Sequence, residues 1–537
     1  MNSRNPAPRL VSGVLLTAAL AAAASAQQPP PPLRDFDAYV ARAVQDWRVP
    51  GLAIVVVKDD SVVFMKGYGV RELGKPDPVT VHTRFGVMST TKAFTTMLLA
   101  MLADSGKVAW DDPVLTYIPG LELRDPWVTR ELTVRDIVTH RVGFPDPGYL
   151  WYGQTLDMDE IVHRLRFVPP ASSFRSLFAY NNVAYAMAGR VAGRAGGATW
   201  QQLIRARIYQ PLGMTESYPD AREMQAAGVT DVSSPHGIVN DTVRVLPVEA
   251  PIVDPIAPAG AMFSTVTDIA KWLRFLLDSA RVGGKRLVSA TNFAQLFTAQ
   301  QMVPPDEFYP TARLTHPHFT AYGLGWFLED YRGEYVAFHT GSIDGRSAIV
   351  GLIPDRRLGV AIYTNLDHSE LRHALMYTVF DRYIGPGDVA VAATSLAGRG
   401  RDGRGAGSAA TSGAGHDWSA EMRSMYLALA DSARMRRKAH DSTRVMGTHP
   451  TLALDRYAGT YADSLFGTAT VRQESGRLTV QMGGQIGDLE HWQYDVFRVH
   501  WRQPFNDPDD VAFILDPDGK VAELRVVHSP LRFRRAR

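Results

Sequence analysis

A glycine-rich segment divides this chain of 537 residues into two parts that must fold separately. Between Leu396 and Gly415 there are seven glycines, separated mainly by alanine, serine and arginine, and no aromatic residue. Such a composition buries too little apolar surface to offset the entropy lost on ordering, so it predicts a flexible linker. We place this linker at residues 389–416, and the sequence on each side must then build its own core.

The composition excludes several classes of protein. A chain that is 45% hydrophobic and 21% charged is not disordered, and 57 basic against 55 acidic residues give a net charge of +2. We therefore expect neither nucleic acid nor a membrane surface as a partner. The chain has no cysteine, which removes disulfides, thiol nucleophiles and thiolate metal sites, and its 15 histidines show no metal-ligand spacing. No metal and no cofactor are expected.

The first 26 residues are typical of a secretory signal peptide. Arg4 and Arg9 precede an apolar run over 10–24, and Ala24-Ser25-Ala26 fits the small-residue rule for cleavage after Ala26. The run is shorter than the about 20 residues that span a bilayer, although an uncleaved anchor helix is the alternative. We expect a periplasmic or secreted protein without a stable membrane span, which begins with a Pro-rich extended terminus at 27–34.

Hydrophobic periodicity predicts an α+β fold for the part before the linker. The pattern indicates β-strands near both ends of this part, with short helices and Pro-rich loops between them. An antiparallel sheet shared by the two ends, flanked by helices and joined to a mostly helical subdomain, accounts for this order. The predicted strands are 51–58, 61–68, 335–338, 347–353 and 360–364; the predicted helices are 35–47, one from Ser89, 134–139, 183–191 and 268–277.

The part after the linker has a different pattern. We predict a helical connector at 417–449 and a small all-β domain at 450–537, because short strands alternate there with turns such as Ser475-Gly476. Its architecture is expected to be a small antiparallel sheet or a β-barrel-like domain. Asp516, Asp518 and Gly519 suggest a calcium loop, but Arg525 occupies the position of its closing Glu, so a plain turn is favoured.

The strongest chemical signal is Ser89-Thr90-Thr91-Lys92. A helix places residues i and i+3 on one face, so the Lys92 amine can reach the Ser89 hydroxyl. A cation in the first helical turn is disfavoured by the helix dipole, which helps Lys92 to lose a proton and act as a general base. An ordinary helix cap followed by an exposed lysine is the alternative for this motif alone.

Two further motifs follow Ser89 at a distance. Tyr180-Asn181-Asn182 precedes a predicted helix, where a phenol close to an ammonium group would have a lowered pKa and the Asn182 amide could hold Lys92 and a substrate. Taken singly, Tyr-x-Asn is usually a helix cap.

The other motif is His339-Thr340-Gly341-Ser342, at the predicted end of strand 335–338. There Gly341 allows close backbone approach, and a free backbone N–H could complete an oxyanion hole. Without the other two motifs it would be only a polar strand end.

Together the three motifs resemble the serine β-lactamase and penicillin-binding-protein superfamily. The sequence is most similar to its class C β-lactamase-related branch, which includes esterases, D-amino-acid peptidases and DD-carboxypeptidases. The resemblance covers roughly residues 35–385, and we assign the hydrolase domain to 35–388. Three further segments fit the same family: Leu132 to His140, Pro258-Ala259-Gly260, and Ser264 to Ala270.

The resemblance implies a role for each motif residue. Ser89 would be acylated, Lys92 and Tyr180 would manage its proton, and Asn182 would position Lys92 and the substrate. The backbone N–H groups of Ser89 and Ser342 would form the oxyanion hole, in the substrate-binding strand that also contains His339, Thr340 and Gly341. We expect His140 to hold a loop near the cleft.

One departure from the β-lactamase pattern bears on the substrate. Class C β-lactamases have Lys at the position of His339, where a permanent cation meets the antibiotic's carboxylate, and an imidazole binds that group less well at neutral pH. An exported serine hydrolase acting on an amide or ester is therefore favoured. Its substrate would be a small molecule or peptide, such as a D-amino-acid peptide, an ester or a β-lactam. A class C-like β-lactamase and a non-catalytic cell-wall or penicillin binder are the alternatives.

Overall fold

A computed structural model describes residues 30–154, 156–248, 250–385, 416–503 and 506–536. The predicted signal peptide and nearly all of the predicted linker lie outside the described residues. We refer to residues 30–385 as the N-terminal domain and to residues 450–536 as the barrel.

The N-terminal domain is built on one open antiparallel sheet of eight strands, in the order β2-β1-β14-β13-β12-β11-β10-β9. Strand β1 pairs with β14, so the two ends of the domain share the sheet as predicted. Three short two-stranded pairs, β3 with β6, β4 with β5 and β7 with β8, lie outside it. The strands of this domain are β1 Gly51–Lys58, β2 Ser61–Gly69, β3 Phe85–Gly86, β4 His236–Val239, β5 Thr242–Val245, β6 Phe263–Ser264, β7 Arg281–Val282, β8 Lys285–Arg286, β9 Gln301–Met302, β10 Thr320–Tyr322, β11 Phe327–Tyr331, β12 Glu334–Ile343, β13 Arg346–Ile353 and β14 Leu358–Thr364.

Helices cover both faces of this sheet, because its central strands are apolar on both sides. Helices α2 and α11 belong to the core on one face, and α1 and α14 to the core on the other. Helices α3 to α10 form the helical subdomain between them. The helices are α1 Phe36–Asp46, α2 Thr91–Asp104, α3 Pro126–Glu131, α4 Val134–Val138, α5 Met158–Arg164, α6 Asn182–Gly196, α7 Trp200–Ile204, α8 Gln210–Leu212, α9 Ala221–Ala226, α10 Ala257–Gly260, α11 Val266–Leu277, α12 Ala290–Phe297, α13 Ala312–Thr315, α14 Leu371–Ile384 and α15 Trp418–Ser442.

Strand β12 is longer than the sequence pattern predicts. The predicted strand stopped at Phe338, but β12 continues to Ile343 because β13 pairs with it as far as the contact of Ile343 with Arg346. The other neighbour, β11, pairs with β12 only as far as Phe338. Among the described residues, the polar sequence from His339 to Ser342 therefore has no strand partner on its β11 side.

The C-terminal part is a closed barrel of eight antiparallel strands, β15 to β22, which confirms the predicted all-β architecture. It has its own apolar core, which includes Tyr461, Val480 and Phe513. Helix α15 connects it to the N-terminal domain and packs on α14 through Trp418. The strands are β15 Gly459–Asp463, β16 Gly467–Glu474, β17 Arg477–Met482, β18 Gln485–Gln493, β19 Val496–Trp501, β20 Asp509–Leu515, β21 Val521–Val526 and β22 Arg532–Arg535.

Within the described residues, no helix combines the length and the apolar composition that crossing a bilayer requires.

Candidate active site

Ser89 lies at a tight junction between β3 and α2. The turn Met88–Thr90 is a 3-10 helix that leads directly into α2, which starts at Thr91. Met88 has a φ of 48°, a left-handed conformation that is costly for a residue with a side chain. The surrounding core holds this strained turn in place, and Ser89 remains partly accessible at its surface.

Lys92 is fully buried beneath Ser89, and three oxygen atoms of the described residues lie within hydrogen-bond distance of its amine. Its Nζ lies 3.0 Å from the Ser89 Oγ, 2.8 Å from the Asn182 Oδ1 and 2.9 Å from the Ala259 carbonyl oxygen. Burial lowers the pKa of Lys92 well below its ordinary value of 10.5, although the charge of Asp146 acts in the opposite direction. Its amine is therefore much easier to deprotonate than that of a solvent-exposed lysine.

The partners of Lys92 fix the orientation of a neutral amine. The Asn182 and Ala259 oxygens are amide carbonyls that can only accept, so they take the two hydrogens of a neutral –NH₂ group. The remaining lone pair then faces the Ser89 hydroxyl, which can donate its proton to it. Lys92 in this state is placed as a general base for Ser89.

Tyr180 lies next to Ser89 and Lys92. Its ring centroid lies 4.7 Å from the Lys92 Nζ and 4.3 Å from the ring of His140. His140 holds the backbone on both sides of Tyr180: its carbonyl oxygen accepts from the Ala179 N–H at 2.7 Å, and its Nδ1 accepts from the Asn181 N–H at 2.9 Å. The expectation that His140 holds a loop beside the cleft agrees with these contacts.

The predicted lowering of the Tyr180 pKa is wrong. Burial raises the pKa of this phenol well above its ordinary value of 10.0, and an interaction with Ser89 offsets only part of the change. The prediction assumed a permanent ammonium beside the ring, whereas burial favours the neutral form of both groups. Tyr180 is therefore placed as a proton donor in the resting site, and Lys92 as the acceptor.

Asp146 orients Asn182 and is a residue that the sequence motifs did not reveal. Its Oδ2 accepts from the Asn182 Nδ2 at 3.0 Å, and its Oδ1 accepts from the backbone N–H groups of Asn182 and Val183 at 3.2 and 3.3 Å. The hydrogen bond from the Asn182 Nδ2 to Asp146 directs the other end of this amide, Oδ1, toward Lys92. Burial raises the pKa of Asp146, and the hydrogen bonds from Asn182 and Val183 offset part of that rise.

Gly341 brings β12 against Ser89. A Cβ atom built on Gly341 would lie 2.4 Å from the Ser89 backbone nitrogen and 2.5 Å from the Met88 Cβ, so no side chain fits there. This contact is possible because β11 stops pairing at Phe338. The predicted oxyanion donors, the N–H groups of Ser89 and Ser342, therefore belong to two segments that touch each other.

His339 is neutral and its hydrogen bonds determine its tautomer. Its Nδ1 lies 2.6 Å from the Thr340 carbonyl oxygen, which can only accept, so Nδ1 carries the proton and Nε2 accepts from the Tyr322 hydroxyl at 2.9 Å. Burial lowers the pKa of His339 to about 3. At neutral pH the position that holds Lys in class C β-lactamases therefore has no positive charge.

Arg372 braces the free segment of β12 from the opposite side. Its Nη1 donates to the Gly341 carbonyl oxygen at 2.5 Å and to the Ser342 Oγ at 2.6 Å, while its Nη2 pairs with Glu370 at 2.7 Å. Burial acts to raise the pKa of Glu370, but the charges of Arg372 and His373 bring it down to about 2. The Arg372 Nη1 also donates to the Ala348 carbonyl oxygen of β13 at 3.3 Å, so this buried charged pair holds β12 to β13 next to the free segment.

The loop 148–153 connects this site with the barrel. Its Tyr152 hydroxyl donates to the Asp344 Oδ1 at 2.7 Å, at the turn that follows Ser342 in the chain. In the same loop, the ring of Tyr149 lies 4.3 Å from that of Phe466, and the Gly153 carbonyl oxygen accepts from the Gly484 N–H at 2.7 Å. Two turns of the barrel therefore hold a loop that contacts the candidate site.

The structure thus brings together all of the predicted site residues, from Ser89 to Ser342. It adds Asp146, Tyr152, Tyr322 and Arg372, for which the sequence offered no motif. Only Asp146 had a usable local signal, because Pro145-Asp146-Pro147 predicts a rigid loop. In the described ranges, no group of three or more His, Asp or Glu side chains is arranged to hold a metal ion.

An open antiparallel sheet joined to a helical subdomain, with a serine and a buried lysine at their junction, defines a penicillin-binding-protein-like fold. The family model Beta-lactamase matches residues 36–381, more than half of the chain, and the protein belongs to this serine hydrolase family. The family model for a domain of unknown function, DUF3471, matches residues 443–535, which contain the barrel.

One relative is similar in sequence, and two solved structures share the fold. The unguisins hydrolase ungD of Aspergillus violaceofuscus is 32% identical over 377 residues, which is 65% of this chain and 65% of that protein. The penicillin-binding protein homologue from Pyrococcus abyssi has a TM-score of 0.55 at 20% identity, over 93% of this chain and 99% of that one. A protein named SurE has a TM-score of 0.51 at 19% identity. The match covers 93% of this chain and 98% of that one.

Proposed function

We propose that the protein hydrolyses an amide or ester bond through an acyl-enzyme at Ser89. The observation that carries this proposal is the 3.0 Å contact between the Ser89 Oγ and a buried Lys92 whose hydrogens are both directed at carbonyl oxygens. A lysine that only stabilised the fold would pair with a carboxylate or reach solvent. The name of one relative, a hydrolase, supports the same reaction type.

Acylation begins with transfer of the Ser89 proton to the neutral Lys92 amine. The Ser89 oxygen then bonds to the substrate carbonyl carbon, and the carbonyl oxygen becomes an oxyanion that the N–H groups of Ser89 and Ser342 stabilise. As the carbon–nitrogen or carbon–oxygen bond breaks, the leaving group takes a proton from Tyr180, which regains one from the Lys92 ammonium. The charges of the site are thereby restored and an ester at Ser89 remains.

Deacylation reverses these roles with water in place of the serine hydroxyl. Water loses its proton to the Lys92 and Tyr180 pair and attacks the ester, and the Ser89 oxygen leaves with a proton from Lys92. Asn182 acts throughout by keeping its carbonyl oxygen on Lys92, since Asp146 holds its amide nitrogen. Apart from water, these steps use side chains and backbone donors of the site.

The neutral His339 favours a peptidase or esterase over an efficient β-lactamase. A β-lactam antibiotic presents a carboxylate, and an imidazole with a pKa of about 3 offers it no charge. A class C-like β-lactamase is the second candidate because of the family match. Turnover of p-nitrophenyl esters, D-amino acid anilides and a chromogenic cephalosporin separates the two, and we expect the cephalosporin to be the poorest substrate.

The test of the nucleophile is covalent labelling with a fluorophosphonate, located by mass spectrometry. The wild type should be labelled on Ser89, and the variant Ser89→Ala should not be labelled. Ser105→Ala, which removes an exposed hydroxyl at the end of α2, is the matched control and should label like the wild type. Equal labelling of wild type and Ser89→Ala would refute the assignment. Retained peptidoglycan binding without turnover of any substrate would indicate a binder.

We also propose that the protein is exported, from the signal peptide predicted at residues 1–26. The mature protein should then begin at Gln27 and be recovered from the periplasm or the medium. N-terminal sequencing of the protein purified from its own host checks this. An intact N-terminus on a cell-associated protein would support the anchor alternative.

A further inference from the structure

Arg346, at the start of β13, is a buried arginine whose charge is not compensated by the described residues around it. It is 5% exposed, and its buried Nε has no hydrogen-bond acceptor among them. Burial lowers the pKa of Arg346 to about 10, so the guanidinium is still charged at neutral pH. A buried charge is unfavourable unless an anion pairs with it. The position is therefore suited to an anion that comes from outside this part of the chain.

The two carboxylates at the turn between β12 and β13 have other partners. Asp344 is the carboxylate whose charge acts on Arg346, but its Oδ1 accepts from the Tyr152 hydroxyl at 2.7 Å. Its Oδ2 is buried without a hydrogen-bond donor, so Arg346 does not bond to it. The Asp367 Oδ2 lies 3.0 Å from the His368 Nδ1. The guanidinium is thus left without either carboxylate as a hydrogen-bonded partner.

The register of the sheet puts Arg346 on the face that Ser89 occupies. Side chains alternate between the two faces of a strand, and Ala348, two residues along β13, belongs to the same core as α2. Ala348 pairs with Gly341, the residue of β12 that touches Ser89. The next pair on this face joins Ile343 to Arg346. Arg346 therefore lies one cross-strand pair of this face beyond the contact of β12 with the nucleophile.

The stem of Arg346 runs beside the turn that contains Ser89. A Cβ built on Gly86 would overlap the Met88 Cε and lie 3.0 Å from the Arg346 Cδ, so these two side chains cover Gly86 together. The guanidinium carbon lies 5.8 Å from the centroid of the Phe263 ring. An aromatic face stabilises a cation without accepting its N–H groups in the way an anion does, so the guanidinium can still donate to a carboxylate.

In the proposed mechanism, the acyl part of a substrate lies toward the Arg346 end of the site. The leaving group takes its proton from Tyr180, whose ring lies 6.3 Å from that of His339, at the start of the free β12 segment. The acyl substituent leaves the carbonyl carbon in the opposite direction, toward Ser342 and the turn that follows it. By resemblance, the carboxylate of a β-lactam lies at His339, so it does not use Arg346.

We propose that Arg346 is a specificity-determining residue that binds a carboxylate on the acyl part of the substrate. This inference rests on the proposed function, because it adds a substrate class to the same site: acyl groups with a negative charge at the end remote from the reacting bond. A carboxylate there accepts from the guanidinium and neutralises its buried charge.

The test compares p-nitrophenyl esters in matched pairs, which end in a carboxylate or in the carboxamide of the same length. Monoesters of adipic, pimelic and suberic acid vary the distance between the ester and the charge. For the wild type, we expect kcat/KM for the carboxylate to exceed that for the carboxamide by about tenfold or more at one length. A ratio of one or less at every length would overturn the proposal and leave the proposed function intact. Absence of turnover in both series would overturn the proposed function, and this inference with it.

Variants of Arg346 locate the effect. In Arg346→Gln the ratio of carboxylate to carboxamide turnover should fall to about one, and Arg346→Lys, which keeps the charge, should retain part of it. Each ratio is measured within one protein, so partial misfolding does not change it. Arg472→Gln is the matched control, because it removes a strand arginine on the barrel surface whose Nη1 donates to the Gln481 side chain, and its ratio should equal that of the wild type. A wild-type ratio that persists in Arg346→Gln would refute the proposal.

Discussion

The protein contains two eight-stranded antiparallel sheets that differ in how completely their strands pair. In the barrel, each strand from β15 to β22 pairs with its neighbours along the chain and the last pairs with the first. In the open sheet, β12 extends five residues beyond the last pair that it forms with β11, the pair of Phe327 with Phe338. The candidate active site lies against that unpaired segment.

This difference shows what a hydrolase site of this kind requires from a sheet. An oxyanion hole needs backbone donors that no neighbouring strand uses, and a closed barrel provides none inside its ladder. The barrel can therefore influence the chemistry only through its turns, which contact the loop 148–153. We expect changes in β12 to affect activity strongly, changes in the barrel turns moderately, and changes within the barrel hardly at all.

The largest effect should come from Gly341→Ala. The added Cβ would meet the Ser89 nitrogen at 2.4 Å and separate β12 from it, so kcat should fall by about a thousandfold, as when an oxyanion donor is lost. Gly260→Ala is the control, because its Cβ would lie 3.6 Å from the Met88 carbonyl carbon and 3.8 Å from the Ser89 nitrogen, which are ordinary van der Waals contacts. Steady-state kinetics on a p-nitrophenyl ester, with circular dichroism to check folding, would test this. Nearly normal kcat in a folded Gly341→Ala would contradict the close approach.

A moderate effect is expected from the barrel turn. In Gly484→Ala the new Cβ would lie 2.4 Å from the Gly153 carbonyl oxygen, so the turn must move away from the loop. We expect about a tenfold loss of kcat/KM, equivalent to about 1.4 kcal/mol, without loss of the barrel fold. Gly120→Ala, where nothing lies within 4 Å, should behave like the wild type. If the two variants have equal kcat/KM, the barrel does not act through this turn.

A smaller effect should follow from Tyr152→Phe. Loss of its hydrogen bond to Asp344 removes about 1 kcal/mol, which corresponds to about a fivefold loss of kcat/KM if the loop shifts. Tyr457→Phe removes a similar hydrogen bond in the barrel, which the Tyr457 hydroxyl donates to the Asp495 carboxylate, and should lower the melting temperature without changing kcat/KM. If Tyr457→Phe reduces activity as much as Tyr152→Phe does, the expected difference between the barrel and the loop 148–153 is wrong.

The smallest expected effect concerns His339 and the way the free energy of unfolding depends on pH. Its pKa is about 3 in the folded protein and 6.5 in the unfolded chain, so between these values only the unfolded chain binds the proton. The free energy of unfolding therefore rises with pH across this window, and the stabilisation is complete above 6.5 and lost toward 3. Urea unfolding of His339→Gln at several pH values should show a shallower rise, by up to about 1.4 kcal/mol per pH unit.

The matched control for His339→Gln is His500→Gln, which changes an exposed histidine of the barrel. The change in slope that His500→Gln produces is the reference with which the change in His339→Gln is compared. An unchanged slope in His339→Gln would mean that this imidazole takes up its proton equally in both states.

Local patterns predicted several of the elements correctly because the causes of those elements are local. The hairpin β1–β2 was predicted within one residue, since its β-branched runs and the turn at Asp59 and Asp60 depend on neighbouring residues. The spacing of Ser89 and Lys92 likewise follows from helix geometry. The fold class and the all-β character of the C-terminal domain could be predicted at this level, and the three motifs indicated the family by resemblance.

The sequence by itself determined which reactive side chains are present and their order along the chain. Tertiary structure decided their protonation and orientation, because these depend on burial and on partners distant in sequence. Asp146 reaches Asn182 across 36 residues and Arg372 reaches Gly341 across 31. The raised pKa of Tyr180 and the extension of β12 have the same origin, since a low-dielectric environment and a strand pair exist only after the chain has folded.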